Sequence, residues 1–247
     1  MVLRLLAFVT TIVFVAGSTA TTSKLGPVAV TETTIDSQGR VRYTVTSDLT
    51  ATAPGLTFWQ FEIVRFYADG ARIVSLQEQD FLETTVLGCV GVGSMLDPNV
   101  WRPSPVSEHA HVAKDLGRTD LPTAVGVRPT AVLLSDGSIF GDRTRIASVI
   151  RRREALLREL NYWVRRMQHT QNDFPGLLGL RYLAEGLSEP QTEQVTDVRA
   201  TFSRLVATLA WGMEGGEIAP ERLSGIIRAE RQLADVVREQ LRVTASR

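Results

Sequence analysis

FWQFEIVRFYADGARIVSL, from Phe58 to Leu76, decides the architecture. An aromatic and β-branched run is interrupted by Ala68-Asp69-Gly70, and a second apolar run follows. Asp-Gly between two such runs marks a tight hairpin, because glycine accepts the positive φ that the turn demands. The spacing predicts two antiparallel strands, with Trp59 and Phe61 on the face that packs into a core. The same device returns in AVLLSDGSIFGD, Ala131 to Asp142, with Asp136-Gly137 at the turn.

Outward from the first hairpin, the period of two persists. In VRYTVTS, Val41 to Ser47, the residues Val41, Tyr43 and Val45 fall on one face, with Arg42, Thr44 and Thr46 on the other. That alternation is the signature of a half-buried strand, and Ser37-Gln38-Gly39 precedes it as a turn. LGCVGV, around Cys89, reads as a strand that buries the chain's single cysteine. Asp97 to Asp120 is less regular: it holds Pro98, Pro103 and Pro105, with Trp101 expected to be exposed and a strand expected near His109 to Ala113. Short strands with a turn every 8–12 residues predict an antiparallel sandwich.

After Asp142 the period changes to that of a helix. Ile146, Val149, Ile150, Leu156, Leu157, Leu160, Val164 and Met167 form one apolar stripe. A short helix is expected from Leu177 to Glu185, beyond Pro175-Gly176. Another is expected to start at Ser188, with Gln191 in the capping-box position, and to end at Gly212. A last amphipathic helix starts near Pro220, and the TASR tail is expected to fray. The predicted fold class is therefore α+β: an N-terminal antiparallel β-sandwich over residues 21–141, then a C-terminal bundle of about three helices over residues 142–247. Residues 142–247 carry 17 arginines against 14 acids, and residues 21–141 carry 9 basic against 13 acidic residues. The two parts are thus mildly opposite in charge, which favours docking, though exposed charges are screened within about 10 Å in salt.

Residues 1–20 have the form of a secretory signal peptide. Arg4 precedes the apolar run Leu5 to Ala16, and Gly17, Ser18, Thr19 and Ala20 close it with a small-x-small cleavage pattern. The run is shorter than the roughly 20 apolar residues of a spanning helix, so cleavage is favoured over a retained anchor. A secreted or periplasmic protein with no membrane span after cleavage is expected. One cysteine allows no internal disulfide. A formal net charge of zero gives no reason to expect a nucleic-acid partner, and no sequence motif calls for a cofactor.

Two features carry possible chemistry. In Glu108-His109-Ala110-His111, a strand would place His109 and His111 on one face, an arrangement that suits zinc or copper once further ligands are supplied. Two histidines on a solvated strand face are the simpler reading. Arg151, Arg152, Arg158, Arg165 and Arg166 form a basic helix surface suited to anionic lipid or an acidic protein. Its competing reading is a solvated face, with Glu154 paired to Arg158 at i,i+4.

FEIVRFYADG, then AVLLSDGSIFGD, then an Arg-rich helix, resembles uncharacterised exported bacterial proteins that join an immunoglobulin-like sandwich to C-terminal helices. The resemblance spans Phe61 to about Arg166 and implies a fold and an exported setting; it implies no catalytic residue. The function expected on these grounds is that of a non-enzymatic extracytoplasmic binding or structural protein whose partner is another envelope protein or surface. One alternative is a metal-dependent hydrolase using His109 and His111. A second is a protein that assembles through its helical stripes.

Overall fold

The computed structural model describes residues 23–36, 39–49, 54–89, 106–111, 118, 120–173 and 221–246, with residues 106–111, 170–173 and 221–223 described by their backbone alone. Mixed α+β structure results: two antiparallel sheets and, among the described residues, three helices. The strands are β1 (Ser23–Leu25), β2 (Val28–Ile35), β3 (Val41–Ser47), β4 (Leu56–Phe66), β5 (Arg72–Asp80), β6 (Val106–His111), β7 (Ala124–Leu134) and β8 (Ile139–Gly141). The helices are α1 (Phe81–Cys89), α2 (Arg143–Asp173) and α3 (Glu221–Ala245). One sheet has the order β1-β2-β3-β6 and the other β5-β4-β7-β8.

Both Asp-Gly hairpins form as the sequence predicts. Gly70 and Gly137 adopt φ of 82°. The carboxylates of Asp69 and Asp136 accept the backbone N–H two residues on, from Ala71 and Ser138, each at 2.9 Å. The side chain thus ties the turn while the glycine supplies its conformation.

The alternation of β3 works as expected: Val41, Tyr43 and Val45 are buried, and they meet Val28 and Val30 of β2 across from Trp59, Phe61 and Ile63 of β4 and Val125, Val127 and Val132 of β7. This one cluster draws on both sheets, so their inner faces share a core. Trp59 sits edge-on to Phe61 and Phe81, with ring centroids 5.2 and 5.1 Å apart. The Tyr43 hydroxyl donates to Gln77 Oε1 at 2.7 Å, and burial pushes its pKa up.

The second sheet is buried on both faces along part of its length. Phe58, Ala131 and Leu133 point away from the shared core and pack on Ile146 and Val149 of α2. Gly141 links β8 to that helix with φ of 82°, and a Cβ there would lie 2.1 Å from the Thr130 carbonyl oxygen. Asp142 then caps the helix: its carboxylate accepts Arg145 N–H at 3.0 Å. The further half of α2 leaves the sheet. Leu156, Leu160, Trp163, Val164 and Met167 pack against Ile226, Ile227, Leu233 and Val237 of α3 and against Leu82 and Val86 of α1.

Three sequence expectations are corrected. Helices are not confined to the C-terminal part, because α1 lies between β5 and β6. Cys89 is therefore not a buried strand residue; it ends α1 and is half-buried. Asp80 starts that helix by accepting Glu83 N–H at 3.0 Å, and the buried pair Leu82 and Val86 at i,i+4 gives it an inner face. At the far end, α3 continues to Ala245, with Thr244 buried and its hydroxyl donating to the Gln240 carbonyl at 2.8 Å. The helices expected over Leu177 to Glu185 and from Ser188 to Gly212 lie outside the described residues, as does Trp101.

Candidate functional site

Six of the eight arginines of helix α2 fall into two groups. The first lies over the outer face of the β5-β4-β7-β8 sheet. Glu78 of β5 receives Arg145 and Arg152, the latter at 2.6 Å, and accepts Gln60 Nε2 at 3.2 Å. Arg152 also lies 3.8 Å from Glu83. The next residue, Arg153, is buried. Its Nε and Nη2 meet the two carboxylate oxygens of Asp80 at 2.9 and 2.8 Å, and Nη2 also donates to the Thr57 carbonyl at 2.8 Å. Such a two-pronged pair fixes helix and strand in one relative position, because a planar guanidinium matches a carboxylate in a single geometry. The mild charge difference between the two parts of the chain is realised here, by named pairs in contact.

In the sequence Arg153 belongs to the basic run Arg151-Arg152-Arg153, a candidate partner-binding feature, yet a signal for burial is also present. Stepping by three and four from Ile146 and Val149 leads to Arg153, Leu156 and Leu160, so Arg153 occupies a place on the apolar stripe. An arginine on a buried stripe requires an acid from the surface it packs on.

Burial of Glu78 raises its carboxyl pKa, but the hydrogen bonds from Arg145 and Arg152 outweigh that and hold it below the ordinary glutamate range. The stability this group contributes is fully present above its unfolded pKa of about 4.3 and is lost as pH falls through the lower folded value. The melting temperatures of the wild type and of Glu78→Gln should therefore differ most near neutrality and converge in acid, below about pH 4. A gap that stays constant as the pH is lowered would contradict the ion-paired role.

The second group lies in the later turns of α2. Arg158, Asn161, Tyr162, Arg165, Arg166 and His169 line a hollow of about 460 Å³. Their spacing of three, four and seven residues sets them along one side of the helix. Arg166 Nε donates to the Tyr162 hydroxyl at 3.1 Å, and its guanidinium carbon lies 5.4 Å from that ring's centroid. Tyr162 is edge-on to the buried Trp163 at 5.3 Å, so the wall of the hollow is anchored in the helical core. Asn161 Nδ2 donates to the Leu157 carbonyl at 2.9 Å. Arg158 and Arg165 are exposed, and among the described residues neither makes an ion pair.

The five arginines expected to form one surface thus separate. Arg158, Arg165 and Arg166 converge on the hollow, Arg152 is drawn down to Glu78, and Arg151 is exposed and lines no part of the hollow. The Glu154–Arg158 pair expected at i,i+4 is not made, although both side chains are exposed. Such a pair stabilises a helix by only about 0.2–0.5 kcal/mol, so leaving it unmade costs little. The backbone of β6 places His109 opposite Tyr43 and His111 opposite Val41. The side chains of both lie outside the described residues, and among the described residues no three metal-ligating side chains cluster. No helix among them is long and apolar enough to cross a membrane. Compared with known proteins, the chain matches no family model, no curated protein and no solved structure.

Proposed function

We propose that this chain is an exported, non-enzymatic binding protein. In this reading an immunoglobulin-like sandwich serves as the frame, and the later turns of α2 take an acidic segment of another envelope protein. Export rests on the leader-like pattern of residues 1–20. The binding role rests on one observation: Arg158, Arg165 and Arg166 converge with Tyr162 and His169 on a concave surface, while Arg145, Arg152 and Arg153 are engaged by the sheet. Guanidinium groups around a hollow offer paired donors to carboxylates, and the tyrosine gives a rigid apolar wall. A concave, donor-rich surface favours a protein segment over a lipid surface, which is met by a helix with a broad apolar face laid flat in the interface. The stripes of α2 and α3 pack on each other, which lends less support to assembly through them.

A hexaglutamate peptide titrated against the full chain tests this. Saturable binding is expected at low salt, weakening as salt rises, since screening shortens to about 8 Å at physiological ionic strength. The Arg158→Glu/Arg165→Glu variant should bind at least about tenfold more weakly, a change of about 1.4 kcal/mol, with no change in melting temperature. Peptide binding that survives the charge reversal refutes the assignment. So does binding to anionic vesicles with none to the peptide.

A further inference from the structure

Strand β5 is an edge. Within its sheet it pairs only with β4, and among the described residues no strand lies along its other side. Exposed edges of this length invite pairing with another chain unless charge, proline or a bulge blocks them. Nine residues, RIVSLQEQD, run from Arg72 to Asp80 in unbroken register with β4, and none is proline.

Its outer face carries Arg72, Val74, Leu76 and Glu78, since alternate residues share a face and Glu78 meets α2 there. Val74 and Leu76 are 46% and 59% exposed, and Phe66, opposite Arg72 on β4, is 44% exposed. They make up three of the four exposed large hydrophobic residues among those described. Arg72 is exposed and makes no ion pair among the described residues.

The order of these four side chains is self-complementary. Two copies of β5 set antiparallel about Ser75 bring Arg72 opposite Glu78 of the second copy and Val74 opposite its Leu76. The reciprocal pairs repeat the match. Opposite charges and apolar pairs directly across strands are the stabilising cross-strand combinations, and like charges in the same places are unfavourable. A two-fold axis through Ser75, perpendicular to the sheet, keeps both outer faces on one side. It joins the two sheets into one of eight strands and brings the Phe66, Val74 and Leu76 patches together. A symmetric interface of this kind uses the same surface twice, and its backbone hydrogen bonds are those of strand addition.

We infer that the protein forms a homodimer through antiparallel pairing of β5 with β5 of a second copy, in the register centred on Ser75. The occupant of this edge is therefore the chain itself, and the hollow on α2 remains a separate surface.

Sedimentation of the purified full chain tests the inference. Twice the chain mass is expected for the wild type. Leu76→Arg, at a position already exposed in the monomer, should raise the dimer Kd at least about tenfold with unchanged circular dichroism. Register is read by mixing Val74→Cys chains with Leu76→Cys chains under mild oxidation. A disulfide-linked dimer should form in the mixture well above the level in either variant alone. A wild type that stays monomeric at high concentration overturns the inference, as does a dimer indifferent to Leu76→Arg. Cross-linking equal in the mixture and in the separate variants overturns the register.

Discussion

Arg153→Ala is expected to destabilise the protein by about 3–5 kcal/mol, the usual cost of removing one partner from a buried ion pair. The side chains of Arg153 and Asp80 are only 2% and 3% exposed. Removing the guanidinium leaves the Asp80 carboxylate in a site that water does not reach, and takes a donor from the Thr57 carbonyl. For a chain of this size the melting temperature should fall on the order of 10 °C. Arg153→Lys should recover only part of this, because one ammonium cannot reproduce the forked contact with both carboxylate oxygens. Thermal unfolding followed by circular dichroism measures both variants. A loss for Arg153→Ala below about 1 kcal/mol, the level of a surface pair, would show that the contact is solvated.

Trp163→Ala should cost a similar amount, about 3–5 kcal/mol, by another mechanism. Trp163 is the largest side chain in the cluster that joins α1, α2 and α3. Deleting its ring removes apolar contacts within this cluster and leaves a cavity that the surrounding helices close only in part. The indole N–H also donates to Glu159 Oε1 at 2.9 Å, one turn back, and that bond is lost. Trp163→Phe separates the two effects: it keeps most of the volume, loses the donor, and should cost markedly less. Equal losses for the two variants in chemical unfolding would place the energy in the hydrogen bond and contradict the packing account.

The two positions differ in how they showed in the sequence. The helical stripe from Ile146 to Met167 was legible because its spacing repeats over several turns, and α2 and α3 follow from such spacing. The alternation of β3 and the two Asp-Gly turns were legible because their cause is local: a pleat of period two, and a glycine at positive φ. Trp59 and Phe61 pack inward as their strand position implies. What local patterns do not carry is pairing between distant segments. That Asp80 answers Arg153 across 73 residues depends on the register of β4 with β5 and on where α2 crosses them. Helix α1 was hidden for a different reason. Its buried residues, Leu82 and Val86, number too few to establish a period, and its cap, Asp80, is also the last residue of β5. The candidate site was half legible: the arginines were visible, but which of them face the sheet and which face the hollow depends on how α2 packs on the sheet, through Ile146, Val149 and the arginines paired with β5.

That packing joins structure to function here. Arg153 and its neighbours pin the first turns of α2 to the sheet, and the helix then carries Arg158, Arg165 and Arg166 outward on a side fixed by the same contact. With the apolar packing of Ile146 and Val149, the pin sets how the later arginines stand relative to the sheet.

A double-mutant cycle between Arg153 and Asp80 measures this pin most directly. Arg153→Met keeps the aliphatic length, and Asp80→Asn keeps an oxygen to cap α1. The unfolding free energies of the wild type, the two single variants and the double variant give the coupling. The predicted result is a coupling of about 2 kcal/mol or more, with the double variant well above the stability expected from adding the single losses. Additive losses, agreeing to within about 0.5 kcal/mol, would mean that the two side chains act independently and that α2 is held to the sheet by something else.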